Sequence, residues 1–325
     1  MQPDDDMHPR ASVGTVASEL ADRLLAEESG DFQAIKVPDW PELSHLSQML
    51  SGGSVCIMGG PQNVGKSFWV LSMLRAVIES GHQADYLTLE DNRAEFLKRA
   101  IALECGSYRF LNNDTEGATE RLDFLASPLG TSIVEKYGPS IHENPRKPRK
   151  DADGFMHTPR FDHVDAMEWL AATCSKGSRV AFLDPVTQID FGAGKDSLKA
   201  EESFIRDATA LAAQHRVTLV FVMHTKKLFG KPDGFLPGIE DLAGSSLWAK
   251  LAHTVVMMCA HEDKESNISA PGSLPGVYTT QPIEHNRTVK IEKTRRGRGA
   301  RMALAYSQDG DRPAFSEHGL IVRGK

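Results

Sequence analysis

The chain has 325 residues, 40% of them apolar and 25% charged, with 37 Lys and Arg against 44 Asp and Glu for a formal net charge of −7. At roughly 150 residues per domain this length holds two domains or one large one, enough to bury a sizeable core, and the acidity argues at first sight against a surface built to hold nucleic acid. No run of about 18 apolar residues occurs, which excludes a membrane-spanning helix, and the opening MQPDDDMHPR excludes a secretory signal and disfavours a transit peptide. Cys56, Cys105, Cys174 and Cys259 are far apart with no CxxC spacing. They read as buried reduced thiols of a cytoplasmic protein rather than a disulfide frame or a zinc site.

In chain order, residues 1–11 read as a disordered arm. Val13, Val16, Ala17, Leu20, Ala21, Leu24 and Leu25 then fall on one stripe of a helix, with Ser12 able to cap its start and Gly30 able to stop it. Pro38 and Pro41 mark a connector, so 12–39 forms an N-terminal linker helix and connector. From residue 54 short apolar runs alternate with helical patterns. The expected strands are Ser54–Met58, Ala84–Leu89, Val180–Asp184, Val217–Met223 and Thr254–Met258, and the expected helices lie near 66–79, 92–105, 163–175 and 201–215. Continuous apolar strands with helices between them predict a mostly parallel sheet covered on both faces. Thr288–Glu292 and Met302–Tyr306 predict a final hairpin, with 311–325 as a C-terminal tail. Residues 107–160, rich in Asn, Asp, Pro and Gly, read as an insertion of loops and short helices.

The strongest motif is GPQNVGKS, Gly60 to Ser67, placed between an apolar strand and a helical pattern. That context is what a P-loop requires. Gly60, Pro61, Gln62, Asn63, Val64, Gly65, Lys66, Ser67 and Phe68 form the candidate nucleotide-binding segment. Its amides and the helix N-terminus suit phosphate. Lys66 suits the β- and γ-phosphates, and Ser67 suits Mg²⁺. RVAFLDP ends an apolar strand at Asp184, a second candidate Mg²⁺ ligand of Walker B type. YLTLEDN places Glu90 where a carboxylate can polarise an attacking water; the plainer alternative is a helix cap at Asp91 with Glu90 merely solvated. VTLVFVMHTKK delivers His224 to a strand's carboxyl end, as a γ-phosphate sensor or as a histidine hydrogen-bonded in the core. Between Arg287 and Arg301 stand seven basic residues and one acid. They read as a solvated face, or as a hairpin whose Lys-x-Arg supplies an arginine finger.

The order GPQNVGKS, LED, FLDP, strand-then-His224, DLAGSS and KTRRG resembles the RecA-like ATPase core of ring-shaped replicative helicases, the DnaB-like and Twinkle-like group, and RepA-type plasmid helicases. The resemblance covers residues 40 to 310. DnaB-like proteins usually carry Gln where His224 stands, and His is closer to the RepA-type and Twinkle-like pattern. The resemblance implies an α/β RecA-like P-loop NTPase core, preceded by an N-terminal helix that packs on a neighbouring subunit or on its own domain. It implies that Lys293 and Arg295 act on the nucleotide of the adjacent subunit, and that the ring is six-fold. It places single-stranded DNA against two loops. One follows Asp184, with Lys195 and Lys199. The other follows His224, with Lys226, Lys227 and Lys231, and Gly and Lys suit backbone tracking there.

The expected function is therefore Mg²⁺-dependent ATP hydrolysis in a homo-oligomeric ring that translocates on single-stranded DNA. This is a replicative helicase of plasmid or phage type with 5′–3′ polarity, open to loader or replication partners and to no membrane. The rivals are a RecA-fold ATPase that loads or remodels DNA-bound proteins or mediates recombination, a KaiC-like regulatory ATPase, and a P-loop small-molecule kinase. The net charge hides an asymmetry. Residues 1–31 hold eight acids and two bases, and residues 287–325 ten bases and four acids. A ring needing only a few lysines per subunit at its pore is compatible with that balance.

Overall fold

The computed structural model describes residues 33–111, 117–146, 149–150, 153, 156–157, 160–226, 231–232, 234–271, 277–310 and 312–322, together with positions 14, 17, 18, 21, 24 and 25. The chain divides into two compact units, Met1–Gln33 and Ala34–Lys325. In the first, Gly14, Ala17, Ser18, Ala21, Leu24 and Leu25 are helical, and Leu24 and Leu25 are exposed.

The second unit is built on one nine-stranded mixed sheet. Its strands, in chain order, are β1 (Ser54–Gly60), β2 (Ala84–Thr88), β3 (Ile141–Glu143), β6 (Val180–Asp184), β7 (Thr218–His224), β8 (Thr254–Pro271), β9 (Tyr278–Thr294), β10 (Ala303–Gln308) and β11 (Phe315–Ile321). The short β4 (Arg149–Lys150) and β5 (Met156–His157) pair separately. The order across the sheet is β11-β10-β9-β8-β1-β7-β6-β2-β3. From β8 to β3 every neighbouring pair is parallel; from β8 to β11 every pair is antiparallel.

The parallel strands are apolar without alternation because both of their faces are covered. In β1, Cys56 and Met58 join the core on one side, with Trp40, Trp69 and Tyr306, while Val55 and Ile57 join the other, with Phe204, Phe221 and Trp248. The helices Lys66–Glu79 and His163–Ser175 lie where the periodicity predicts. Arg93–Cys105 starts one residue later than expected, and Gly194–His215 starts seven residues earlier. Two other expectations change. The insertion carries helices Ala118–Ala126 and Pro128–Tyr137 and also contributes β3, an edge strand of the main sheet. The tail expected at 311–325 contains β11, which pairs with β10 and closes back on β8 through Leu320 and Ile321. The five-residue strand expected at 254 runs on for 18 residues and pairs with β9 as far as Pro271 opposite Tyr278, with the register shifting between Val255 and Val256 and between Ala260 and Lys264. Its outer half, HEDKES, has no apolar run to reveal it; backbone pairing across a hairpin holds it instead.

The start and end of this unit are fastened together. Trp40 stacks on Trp69 at 4.7 Å, Tyr306 meets both edge-on, and the Trp40 indole donates to the Phe315 carbonyl at 3.1 Å. No helix among the described residues is long and apolar enough to cross a membrane.

Candidate active site

β1, β2, β6 and β7 end on the same side of the sheet, so the residues at their carboxyl ends converge, as ligand sites in parallel sheets do. Gly60 closes β1. Asn63 and Gly65 take the left-handed backbone conformation, at φ 62° and 97°, and turn the chain into the helix at Lys66. Gly65 has a further constraint: a Cβ there would meet the Phe315 ring at 2.6 Å. Val64 is buried in the core, while Gln62, Asn63, Lys66, Ser67 and Phe68 line a cavity of about 570 Å³. Glu90 and Asp91 from the end of β2, Asp184 from β6 and His224 from β7 line the same cavity. The structure thus brings together the candidates drawn from four separate motifs.

Burial sets the electrostatics of the cavity. Lys66 is 6% exposed and donates to the carbonyls of Gly60 at 3.0 Å and Pro61 at 2.5 Å. Burial lowers its pKa to about 8, against the pull of Asp184 and Glu90. Burial raises Asp184 to about 6, against the hydrogen bond from the Tyr86 hydroxyl and the charge of Lys66. Ser67 Oγ stands 3.5 Å from Asp184 Oδ2. His224 Nε2 stands 3.7 Å from Glu90 Oε2, beyond a hydrogen bond, and neither ring nitrogen has a hydrogen-bond partner among the described residues. Burial, then Lys66, lowers the His224 pKa, so the ring is neutral at pH 7 and keeps an N–H to offer.

The donor set fits Mg²⁺. One hydroxyl and one buried carboxylate are hard oxygen ligands, and Mg²⁺ usually takes few protein ligands beside phosphate and water. Among the described residues no cluster of three or more His, Cys, Asp or Glu could hold a metal alone.

Geometry bears on two alternatives weighed from sequence, with Glu90 exposed at the cavity. The helix cap after β2 is Asn92, whose side chain accepts from Glu95 N at 2.9 Å, and Asp91 instead pairs with Arg99. His224 has no hydrogen-bond partner in the core among the described residues. Residues that the motifs did not point to also border the site: Arg99 and Gln308 line the cavity, and Tyr86 holds Asp184. Arg99 follows the LED segment on a helix, but nothing in its spacing marks it.

Lys293 and Arg295 do not reach this cavity within one chain. Lys293 donates to the carbonyls of Ala249 and Lys250, both at 2.8 Å, and Arg295 to Lys250 O at 2.8 Å. Arg296 donates to Gly52 O, and a Cβ at Gly297 would lie 2.0 Å from the Leu46 carbonyl oxygen. The motif is therefore neither a plain solvated face nor a partner of its own P-loop. It is packed against its own core, with Lys293 at a second cavity of about 470 Å³ that Lys226, Ser245 and Lys250 also line. Lys226 donates to Glu240 O at 3.1 Å, and Lys231 lies over the Phe235 ring. Lys227 lies outside the described residues. The loop expected after Asp184 is a correction: Lys195 and Lys199 fall in the first turns of helix Gly194–His215, and Lys199 pairs with Asp196 at 3.6 Å. The segment stays polar enough to read as a loop, yet a helix of 22 residues extends back over it.

A P-loop, an acidic strand end behind it and a parallel sheet that converges on both define a RecA-like nucleotide-binding fold. The chain belongs to the AAA domain family AAA_25, whose model matches residues 21–229. It is similar to a solved ATPase domain, with a TM-score of 0.63 and 16% identity over 94% of this chain and 99% of that one. It is also similar to a DnaB-like replicative helicase solved for its interactions with primase, with a TM-score of 0.63 and 15% identity over 94% of this chain and 67% of that one. No curated protein matches it.

Proposed function

We propose that the protein hydrolyses ATP with Mg²⁺ and, as a ring of identical subunits, uses the energy to translocate on single-stranded DNA as a replicative-type 5′–3′ helicase of plasmid or phage type. The observation that carries this reading is the convergence of Lys66, Ser67, Glu90, Asp184 and His224 on one cavity. The fold shared with a solved ATPase domain and with a DnaB-like replicative helicase supports it.

In this reading the P-loop amides and the helix N-terminus hold the phosphates. Lys66 exchanges its two carbonyl partners for phosphate oxygens. Ser67 and Asp184 would hold Mg²⁺, which when bound neutralises phosphate charge. Glu90 Oε accepts a proton from the attacking water. His224 offers its N–H toward the γ-phosphate and, as the last residue of β7, passes the state of that phosphate to the loop containing Lys226, Lys227 and Lys231. Arg295 and Lys293, remote from their own P-loop, serve the nucleotide of the next subunit, so a closed head-to-tail ring, six-fold by the resemblance, completes each site. Lys195, Lys199, Lys226, Lys227 and Lys231 are the DNA contacts of this reading.

A second reading, an ATPase that loads or remodels DNA-bound proteins without unwinding, is favoured by the helical setting of Lys195 and Lys199. The deciding experiment measures ATPase rate with and without single-stranded DNA, strand separation on a forked duplex, and mass by light scattering. DNA-stimulated turnover, unwinding and a ring mass support the helicase. Stimulation without unwinding supports the remodeller, and no stimulation overturns both.

A further inference from the structure

The cavity over the P-loop is also lined from the antiparallel half of the sheet, where Gln308 Oε1 would lie 3.3 Å from a Cβ at Gly65. There Gln308, the last residue of β10, lines it beside Phe68. The Gln308 amide is held from both sides. A guanidinium only donates, so the amide atom facing Arg287 is the oxygen, and Arg287 Nη2 reaches Gln308 Oε1 at 2.9 Å. Gln308 Nε2 donates to the Tyr108 hydroxyl at 2.7 Å. The backbone is clamped as well: Asn286 Oδ1 accepts from Gln308 N at 2.9 Å, and Asn286 Nδ2 donates to Gln308 O at 3.1 Å. Arg287 is half-buried and has no ion pair among the described residues; its other hydrogen bonds go to the carbonyl and side chain of Asn286. Tyr108 meets the Phe68 ring edge-on at 5.8 Å. Three separate segments, the start of the insertion and strands β9 and β10, thus fix the orientation of one amide at the cavity wall.

A primary amide has two acceptor lobes and two N–H groups. Arg287 and Tyr108 use one of each, leaving one acceptor and one donor. Adenine places its amino group beside a ring nitrogen acceptor, and Gln pairs with that combination in a bidentate way. Guanine places two acceptors, O6 and N7, on the corresponding edge, where the amide oxygen is repelled. We propose that Gln308, oriented by Arg287 and Tyr108, is the residue that recognises the base of the bound nucleotide and selects adenine. This deepens the nucleotide-hydrolase reading and rests on it.

The test titrates the full-length protein with ATP, GTP and inorganic tripolyphosphate in Mg²⁺, calorimetrically, for wild type and two variants. Wild type is expected to favour ATP over GTP by about tenfold or more, the scale of one bidentate pair. Gln308→Ala is expected to lose most of that ratio through weaker ATP binding, with tripolyphosphate binding unchanged. Tyr108→Phe removes one of the two partners that hold the amide while Arg287 still holds its oxygen, so it is expected to narrow the ratio less than Gln308→Ala, through weaker ATP binding, with an unchanged thermal melt. If wild type binds ATP and GTP equally, or if folded Tyr108→Phe and Gln308→Ala proteins keep the wild-type ratio, the assignment of Gln308 is overturned while the P-loop reading stands. Absence of binding by wild type to all three ligands overturns both.

Discussion

The two halves of the sheet are held by different forces. In β1, β6 and β7 nearly every side chain is buried, and the strands are fixed by apolar cover on both faces. In β9, Tyr278–Pro282 is exposed, and its pairing to β8 rests on the backbone ladder. The parallel half carries the groups proposed for chemistry on its own nucleotide, because parallel strands deliver their carboxyl ends to one edge. The antiparallel half delivers Lys293 to a different cavity and returns β10 and β11 to cover the P-loop, through Gln308 and Phe315. A buried rigid half suits residues that must hold a geometry, while Lys293 and Arg295, at the inner end of β9, are held by the Ala249 and Lys250 carbonyls. Substitutions on either side can break that division.

The largest effect is expected in the parallel half. Lys66→Ala removes the buried ammonium from the cavity and should abolish ATP turnover, beyond the about 10²–10³-fold of losing a single preorganised hydrogen-bond donor. Steady-state hydrolysis by a variant with a wild-type melting curve decides it; near-normal turnover would sink the P-loop assignment. Next comes the antiparallel half. If Arg295 acts on a neighbour's nucleotide, Arg295→Ala should lose activity on the scale of an arginine finger, about 10³-fold or more. Mixing it with Glu90→Ala protein should restore part of the rate, because some interfaces in mixed rings then hold both groups. Well-formed mixed rings with no recovery would return all the chemistry to the parallel half.

The unequal legibility of the two halves has the same physical origin. The five expected parallel strands and the helices at 66 and 163 stand out because burial on both faces demands apolar runs, and the P-loop stands out because its backbone path demands Gly65. β11 and the outer part of β8 and β9 stay hidden because backbone pairing needs no particular side chain. Edge strand β3 is three residues long and is held by its pairing to β2 and by His142 bonding Asp85 at 2.6 Å. Within the site, Lys66, Ser67, Glu90, Asp184 and His224 are legible because each sits at a fixed place relative to a strand end. Arg99, Tyr86 and Gln308 are not, because only the folded packing brings them there.

A smaller effect separates the two lysines by pH. Burial, then Arg295, lowers Lys293 to about 8. Its charged form is disfavoured in the folded state, so stability should rise as pH climbs from about 8 toward the ordinary lysine value of 10.5. Over the start of that window a cation needed by a neighbour's nucleotide is lost, so turnover should fall while stability rises. Lys66 lies near the same value, and phosphate charge favours the protonated form of either lysine once nucleotide binds, so the alkaline fall is read in kcat/KM, which reports the free enzyme, and the variant tells the two apart. Lys293→Arg keeps the charge at high pH and should move the alkaline fall upward in a pH–rate profile. An unchanged profile would place the titration elsewhere than the antiparallel half.

The smallest effect asks whether β11 belongs to the domain at all. Glu317, on β11, accepts from the backbone N–H groups of Glu42 at 2.7 Å and Leu43 at 3.0 Å, and from the Tyr306 hydroxyl. It therefore caps the helix Pro41–Ser47, whose N-cap Trp40 has no side-chain oxygen to do so. Burial raises its pKa, which the three donors oppose. Glu317→Ala leaves two amide donors and a buried hydroxyl without that acceptor and should cost about 1–3 kcal/mol, read as a lower denaturant midpoint. Glu317→Gln keeps an acceptor oxygen and should cost less. If the segment after residue 310 were a free tail, both variants would melt like wild type. If instead Glu317→Ala melts lower and Glu317→Gln lies between, the last strand is part of what holds the first helix, and with it the Trp40–Trp69 stack beneath the P-loop helix, in place.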